Sequence, residues 1–196
     1  MQNETAVYRD AIRRLNPGVT DEEWDYFERG FIFQTLPAKA FFIEADKRHE
    51  QLWFVTKGLL RGYYINDAGE DISIAFVAEG EWATDYPSLL AHKPSRYTFQ
   101  CLEPTSLISV PFSHIRKGYD LFTGFERNGR LIAEEILKQQ QARIESFQFD
   151  SAEQRYLDFI KDNPNLFSRI SLTHLSSYLG IERPSLSRIR KKIMRL

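Results

Sequence analysis

At 196 residues with 42% hydrophobic side chains, the chain is long enough for one large or two small domains with a sizeable core. Its 26 Lys and Arg against 27 Asp and Glu leave a formal net charge of −1, and the single cysteine, Cys101, excludes an internal disulfide framework, a cysteine-ligated zinc and an iron–sulfur cluster held within one chain. No stretch approaches the run of about 18 apolar residues that a membrane span needs, and "MQNETAVYRD" has neither the basic stretch nor the apolar core of a leader, so a cytoplasmic protein is expected.

The first thirty residues read as helical. "YRDAIRRL" spaces Tyr8, Ile12 and Leu15 at helical intervals, Pro17-Gly18 breaks the chain, and Thr20 followed by Glu23 forms a capping box that restarts it. From Phe31 to Pro111 the texture changes to short aromatic and β-branched runs closed by turn signals, which predicts seven or eight antiparallel strands in a sandwich or rolled barrel. Asp67-Ala68-Gly69 supplies one hairpin turn. In "DISIAF" the residues Ile72, Ile74 and Phe76 alternate with Ser73 and Ala75, which predicts that the isoleucine side is the buried one. Cys101 is expected to be a small apolar residue of a strand.

After Phe112 the pattern turns helical. "ERNGRLIAEEILKQQQARIESF" is the longest helix candidate, and Ala133, Leu137, Gln140, Ile144 and Phe147 fall at alternating intervals of four and three, the seam of a short coiled coil. Such a seam fits pairing with a second copy, and equally a helix packed on its own domain. Leu131, Ile132 and Ile136 add a second apolar stripe toward the β region. A hinge is expected at Phe147–Asp150, with Asp150 or Ser151 capping "AEQRYLDFIKD" and Pro164 ending it.

Ser171 caps a helix that places Leu172, Leu175 and Leu179 on one face. Gly180 permits the left-handed turn, Ile181 plugs the corner, and a second helix starts near Arg183 with Pro184 in its first turn. This is helix–turn–helix spacing. At 100° per residue Leu186, Ile189 and Ile193 form the core stripe of the second helix, and Pro184, Arg188, Lys191 and Arg195 lie opposite, flanked by Ser185 and Ser187. No acid occurs from Arg183 onward. Arginine can bond a guanine edge through two parallel hydrogen bonds, while lysines and hydroxyls fix a helix on phosphates.

"YLGIERPSLSRIRKKI", standing behind a β region and a long helix, resembles the cyclic-AMP receptor and Fnr (Crp/Fnr) family of bacterial transcription regulators. The resemblance runs over nearly the whole chain and is sharpest in the last twenty-five residues. It implies an α+β fold: an N-terminal β-roll, jelly-roll-like and of the cyclic-nucleotide-binding kind, over residues 1–120, a long dimerisation helix over 121–148, and a C-terminal helix-turn-helix DNA-binding domain over 149–196. Arg183, Ser185 and Arg188 match the family's arginine, hydroxyl and arginine on the recognition helix, and Pro184 replaces its usual acid. Ser187, Lys191, Lys192 and Arg195 complete the expected DNA-binding set, and Ala133, Leu137, Gln140, Ile144 and Phe147 the dimer seam. Few residues follow the second helix, so little room is expected for the family's β-wing.

The resemblance also places Gly58 at a family turn and "AEGEWATDYPSLLAHKPSRYTF" at the phosphate-binding cassette. There Thr84-Asp85 stand where cyclic-nucleotide binders carry Gly-Glu, and Arg96-Tyr97 where they carry Arg-Ser or Arg-Thr. A buried phosphate needs a paired cation and close backbone N–H groups; with Arg96 alone unchanged here, the resemblance leaves the effector open between a cyclic nucleotide, another ligand in a rebuilt cassette, and none in a vestigial one. The implied partners are double-stranded DNA, a second copy of the chain, RNA polymerase and a small-molecule effector, with no membrane. The competing readings are a ligand-binding or interaction module of the same fold without DNA binding, and a β-roll metalloenzyme. The latter needs a close His-x-His pair, whereas His49, His92, His114 and His174 are scattered, and no enzyme is expected.

Overall fold

A computed structural model describes residues 2–193. In chain order the elements are α1 (Gln2–Leu15), α2 (Asp21–Glu28), β1 (Ile32–Leu36), β2 (Phe41–Ile43), β3 (Gln51–Lys57), β4 (Leu60–Ile65), β5 (Asp71–Val77), β6 (Trp82–Ala83), α3 (Tyr86–Ala91), β7 (Thr98–Cys101), β8 (Thr105–Pro111), α4 (Phe112–Leu121), α5 (Thr123–Phe149), α6 (Ala152–Asp162), α7 (Leu172–Leu179) and α8 (Arg183–Ile193). The chain divides into two compact units, Met1–Gly62 with Phe76–Ile136, and Tyr63–Ala75 with Leu137–Leu196. The second unit thus takes the tip of the β4–β5 hairpin together with the C-terminal half of α5 and the helices after it.

Two four-stranded sheets form the roll, in the orders β1-β8-β3-β6 and β2-β7-β4-β5. β8 lies antiparallel between β1 and β3, pairing Ile32 with Ser109 and Ser109 with Trp53, and β3 passes Trp53 on to Ala83 of β6. Alternation along β3 sends Leu52 and Phe54 to one face, where with Ile108 and Val110 they meet Tyr8, Ile12, Trp24, Phe27, Phe112, Ile115 and Phe125 from the helices. Tyr8 is the centre of that core, its ring stacked 4.1 Å from Phe54 and 5.1 Å from Phe31, and burial pushes its phenol far above the ordinary range. The opposite face of β3 turns inward to the roll. There Phe42 lies 5.1 Å from Trp53 and 5.7 Å from Phe99, which ties the two sheets together.

The N-terminal expectations hold in atomic detail. Thr20 Oγ1 accepts from Glu23 N, and Thr20 N donates to Glu23 Oε2 at 2.9 Å, so the capping box is reciprocal. Gly58 turns the chain between β3 and β4 at φ 103, and a Cβ there would lie 2.8 Å from the Pro104 carbonyl, so glycine is required on two counts. Cys101 is buried in β7, and burial raises its thiol pKa. The hairpin turn is organised by a residue the sequence reading passed over. Asn66 Oδ1 accepts from Ala68 N and Glu70 N at 3.0 and 2.9 Å, closing the loop around Gly69.

The predicted buried face of β5 is corrected. Ile72, Ile74 and Phe76 are only half-buried, whereas Ser73 is 0% exposed. The reason is polar: Ser73 N–H donates to Ser177 Oγ at 2.8 Å and its carbonyl accepts from Arg143 at 3.3 Å, so this side of the strand is covered by helices. The expected hinge also shifts. Helix α5 runs through Phe149, and the break falls at Asp150–Ser151, where Ser151 Oγ caps α6 by accepting from Gln154 N. Among the described residues no helix is long and apolar enough to cross a membrane.

Candidate nucleic-acid interface

The candidate interface is the α7–α8 corner. Ser171 Oγ accepts from His174 N at 3.1 Å to start α7. At its end Ile181 N–H bonds the Ser176 carbonyl at 3.0 Å and Gly180 N–H bonds the Ser177 carbonyl at 3.3 Å, the paired bonds of a Schellman turn, with Gly180 at φ 61. Leu175, Leu179, Ile181 and Leu186 are buried behind the corner. With Leu186 0% exposed, the register of α8 is fixed, and Arg183, Pro184, Arg188 and Lys191 are all exposed.

The predicted residues divide by how they are engaged. Arg188 Nη2 donates to Ser185 Oγ at 3.0 Å, so the two stand together on the outer surface, and Ser187 is half-buried beside them. Lys192 is drawn toward α6, where its Nζ sits 2.8 and 2.9 Å from the carboxylate oxygens of Glu153. An exposed pair of this kind contributes roughly 0–1 kcal/mol. Arg190 lies 4.7 Å over the Phe167 ring and belongs to the packed side. Arg195 lies outside the described residues.

A second constellation, absent from the sequence reading, holds the hairpin tip. Arg143 Nη2 donates to the Tyr178 carbonyl at 2.9 Å as well as to Ser73, and its guanidinium lies 4.1 Å over Tyr178 and 4.9 Å over Phe147. Burial lowers the Arg143 pKa from its ordinary value, with Tyr178 opposing that shift. Ser177 closes the clasp by donating to the Asp71 carbonyl at 3.1 Å. Arg155 bonds the carbonyls of Leu179 and Asp150 at 2.9 and 2.8 Å and lies 5.1 Å over Phe147. Nothing in the local pattern marks Arg143; a polar residue on an exposed-looking helix gives no sign of two carbonyls waiting for it.

On the α5 seam Leu137, Ile144 and Phe147 are 64%, 51% and 44% exposed, Gln140 is exposed and Ala133 is half-buried. Leu131 and Ile136 are half-buried and Ile132 is buried in the helical core, as the second stripe requires.

In the cassette, Asp85 is buried and caps α3. Its carboxylate accepts from Ser88 N at 3.3 Å, Ser88 Oγ at 2.6 Å and Ser95 Oγ at 2.8 Å. Ser95 Oγ in turn accepts from Tyr97 N at 3.0 Å. Arg96 is exposed, and Tyr97 is half-buried. Thr84 Oγ1 is buried without a hydrogen-bond partner, as are Trp53 Nε1 and Ser109 Oγ, which the strand register places side by side on the inner face. These inner polar groups escaped the sequence reading because only strand pairing brings them together.

Residues 33–120 match the family model of the cyclic nucleotide-binding domain. The fold is shared over most of the chain with FixK2 from Bradyrhizobium japonicum, at 17% identity, covering 84% of this chain and 85% of that one with a TM-score of 0.74. It is similar to the c-di-GMP responsive global regulator CLP of Xanthomonas campestris, at 12% identity, 90% and 92% coverage and a TM-score of 0.70. The chain has the fold of the Crp/Fnr regulators. The Thermus thermophilus catabolite activator protein, at 18% identity, 92% and 86% coverage and a TM-score of 0.58, shares it too. Among curated proteins none matches the chain in sequence.

Within this roll the cassette offers the unpartnered Thr84 Oγ1, but Arg96, the cation expected there, is exposed and not buried beside it. A cyclic phosphate buried there needs a cation beside it and free donors around it. Here Asp85 accepts three hydrogen bonds from the loop's own donors, Ser95 is bonded to it, and Arg96 is exposed. The buried Arg61 of β4 does not substitute. Gly62, its neighbour, directs its Cα–H toward the inward-facing Phe99, so alternation turns Arg61 to the other side of the sheet. Among the described residues no group of three His, Cys, Asp or Glu side chains could hold a metal ion.

Proposed function

We propose that the chain is a DNA-binding transcription regulator of the Crp/Fnr type, which binds a pseudo-palindromic duplex site as a homodimer and carries no catalytic activity. The observation that carries this reading is α8, a helix whose apolar stripe is buried at Leu186 while Arg183, Arg188 and Lys191 are exposed and Ser185 is half-buried with its hydroxyl bonded to Arg188. Such a surface supplies phosphate-neutralising charge and a guanidinium with the geometry to read guanine. The division of labour follows: residues 1–120 form an effector-type roll, 121–148 a pairing helix, and 149–196 the helix-turn-helix reading head, with RNA polymerase as a further partner.

The exposed seam of Leu137, Gln140, Ile144 and Phe147 supports twofold pairing, since apolar side chains at heptad spacing gain by burial against a second copy. Pairing would present two α8 helices about 34 Å apart, one turn of duplex. An effector in the roll acts only through its differential affinity for two arrangements of these heads, and the exposure of Arg96 argues against a cyclic nucleotide as that effector.

Fluorescence anisotropy of a labelled duplex tests the reading. Affinity should fall steeply with salt, by roughly 10³–10⁵ between 50 and 200 mM if six to ten phosphates are neutralised. Salt-independent binding, or none at low salt, would reject it.

A further inference from the structure

The cations of α8 are not equivalent. Arg190 lies over the Phe167 ring at 4.7 Å and Lys192 is held by the Glu153 carboxylate at 2.8 Å, so both are engaged by neighbouring elements. Arg188 is exposed, yet it too has a partner, because its Nη2 donates to Ser185 Oγ at 3.0 Å. The two residues stand three apart on one helix, a spacing at which side chains meet. Ser185 has little freedom to leave that position. Its neighbour Leu186 is 0% exposed and donates its N–H to the Glu182 carbonyl at 2.9 Å, while Pro184 on the other side has a fixed φ. Ser185 itself is half-buried.

We propose that Ser185 is a positioning residue for Arg188: its hydroxyl holds the guanidinium in the orientation that reads a guanine edge, and it does not itself bond the duplex. This role deepens the function proposed above and rests on it. The chemistry of the acceptor matters. A carboxylate, such as the one that holds Lys192, would offset the cation's charge and compete with the acceptors of the base, whereas a hydroxyl leaves the charge whole. The fork geometry matters as well. With one Nη2 hydrogen engaged, the planar guanidinium keeps a pair of parallel N–H groups for O6 and N7 of guanine. An unrestrained arginine surrenders much rotamer freedom when it binds, and a tethered one has already surrendered part of it. The tether therefore favours the base that matches the held orientation and contributes nothing on a duplex that lacks it.

The readout is discrimination between single bases, measured by competition anisotropy with the full chain. The probes are the duplex it selects from a random pool, the single-base variants of that duplex, and a scrambled duplex of equal length. Ser185→Ala should lower discrimination at the base pair read by Arg188 by about three- to tenfold, with discrimination elsewhere and affinity for the scrambled duplex unchanged. Ser185→Thr, which keeps the hydroxyl, should restore it, and in an Arg188→Ala background Ser185→Ala should cost nothing further. A loss shared equally by every duplex would make Ser185 a phosphate contact, and an undiminished loss in the Arg188→Ala background would make it act alone; either result overturns the proposal, as does unaltered discrimination. A second readout needs no DNA. Nuclear magnetic relaxation at Arg188 Nε in the free chain should show a more mobile side chain in Ser185→Ala than in the wild type, and equal mobility would overturn the tether. A full chain that binds no duplex at all would reject the regulator reading and this role with it, whereas binding with any of the contrary patterns rejects the role of Ser185 alone.

Discussion

Arg188 is exposed on α8 with its guanidinium held beside Ser185, so its substitution leaves the buried Leu186 side of the helix unaltered. Arg188→Ala should lower affinity for a selected duplex by about 1–3 kcal/mol and relax sequence preference at one base pair, as competition anisotropy with single-base variants would measure. Unaltered preference would assign the residue to phosphate or to nothing. Gly180 makes the complementary test on stability. Its φ of 61 is costly for any side chain, and a Cβ would lie 2.5 Å from Phe147 Cε1. Gly180→Ala should therefore destabilise the protein by about 1–3 kcal/mol in urea unfolding. At this scale the sequence was most readable where the residue's own chemistry dictates the geometry, as at Thr20, Gly58 and Gly180. It was silent at Asn66, Arg143 and Ser109, whose roles depend on partners far along the chain.

At the scale of elements, the β4–β5 hairpin is held to α7 by Ser177 and Arg143 through backbone atoms of Asp71 and Ser73. Arg143→Ala removes two carbonyl contacts and two ring contacts at once, and amide exchange at Ser73 should accelerate about tenfold or more relative to the wild-type chain. Arg143→Lys should restore little, since an ammonium cannot lie flat between Tyr178 and Phe147 while bonding both carbonyls. Unchanged exchange at Ser73 in the alanine variant would remove the clasp from the account. This arrangement also explains why the alternation in "DISIAF" misled: period-two hydrophobicity marks which side chains prefer burial, but a serine was buried here by backbone hydrogen bonds that no pattern of apolar residues encodes. Helix positions were better legible, because caps at Thr20, Ser151 and Ser171 act within four residues of the element they start.

For the whole molecule the decisive feature is the pair of surfaces left uncovered, the α5 seam and the outer side of α8. Leu137→Glu, at a position 64% exposed and so harmless to the isolated chain, should convert a dimer into a monomer in sedimentation velocity. A variant that sediments as the wild type would move the pairing surface elsewhere. The order of parts was readable because composition changes sharply at Phe31 and again after Phe112, and the described elements change at the same places. The grouping of the hairpin tip with the C-terminal helices was not, since residues 63–75 carry the texture of the strands around them. The central claim, that two copies present their α8 surfaces to one duplex, is tested most directly by selecting bound sequences from a random duplex pool with the full chain. The account predicts an enriched inverted repeat with half-site centres about one helical turn apart, 10–10.5 base pairs. Enrichment of a single half-site or a direct repeat, or no enrichment at all, would contradict it.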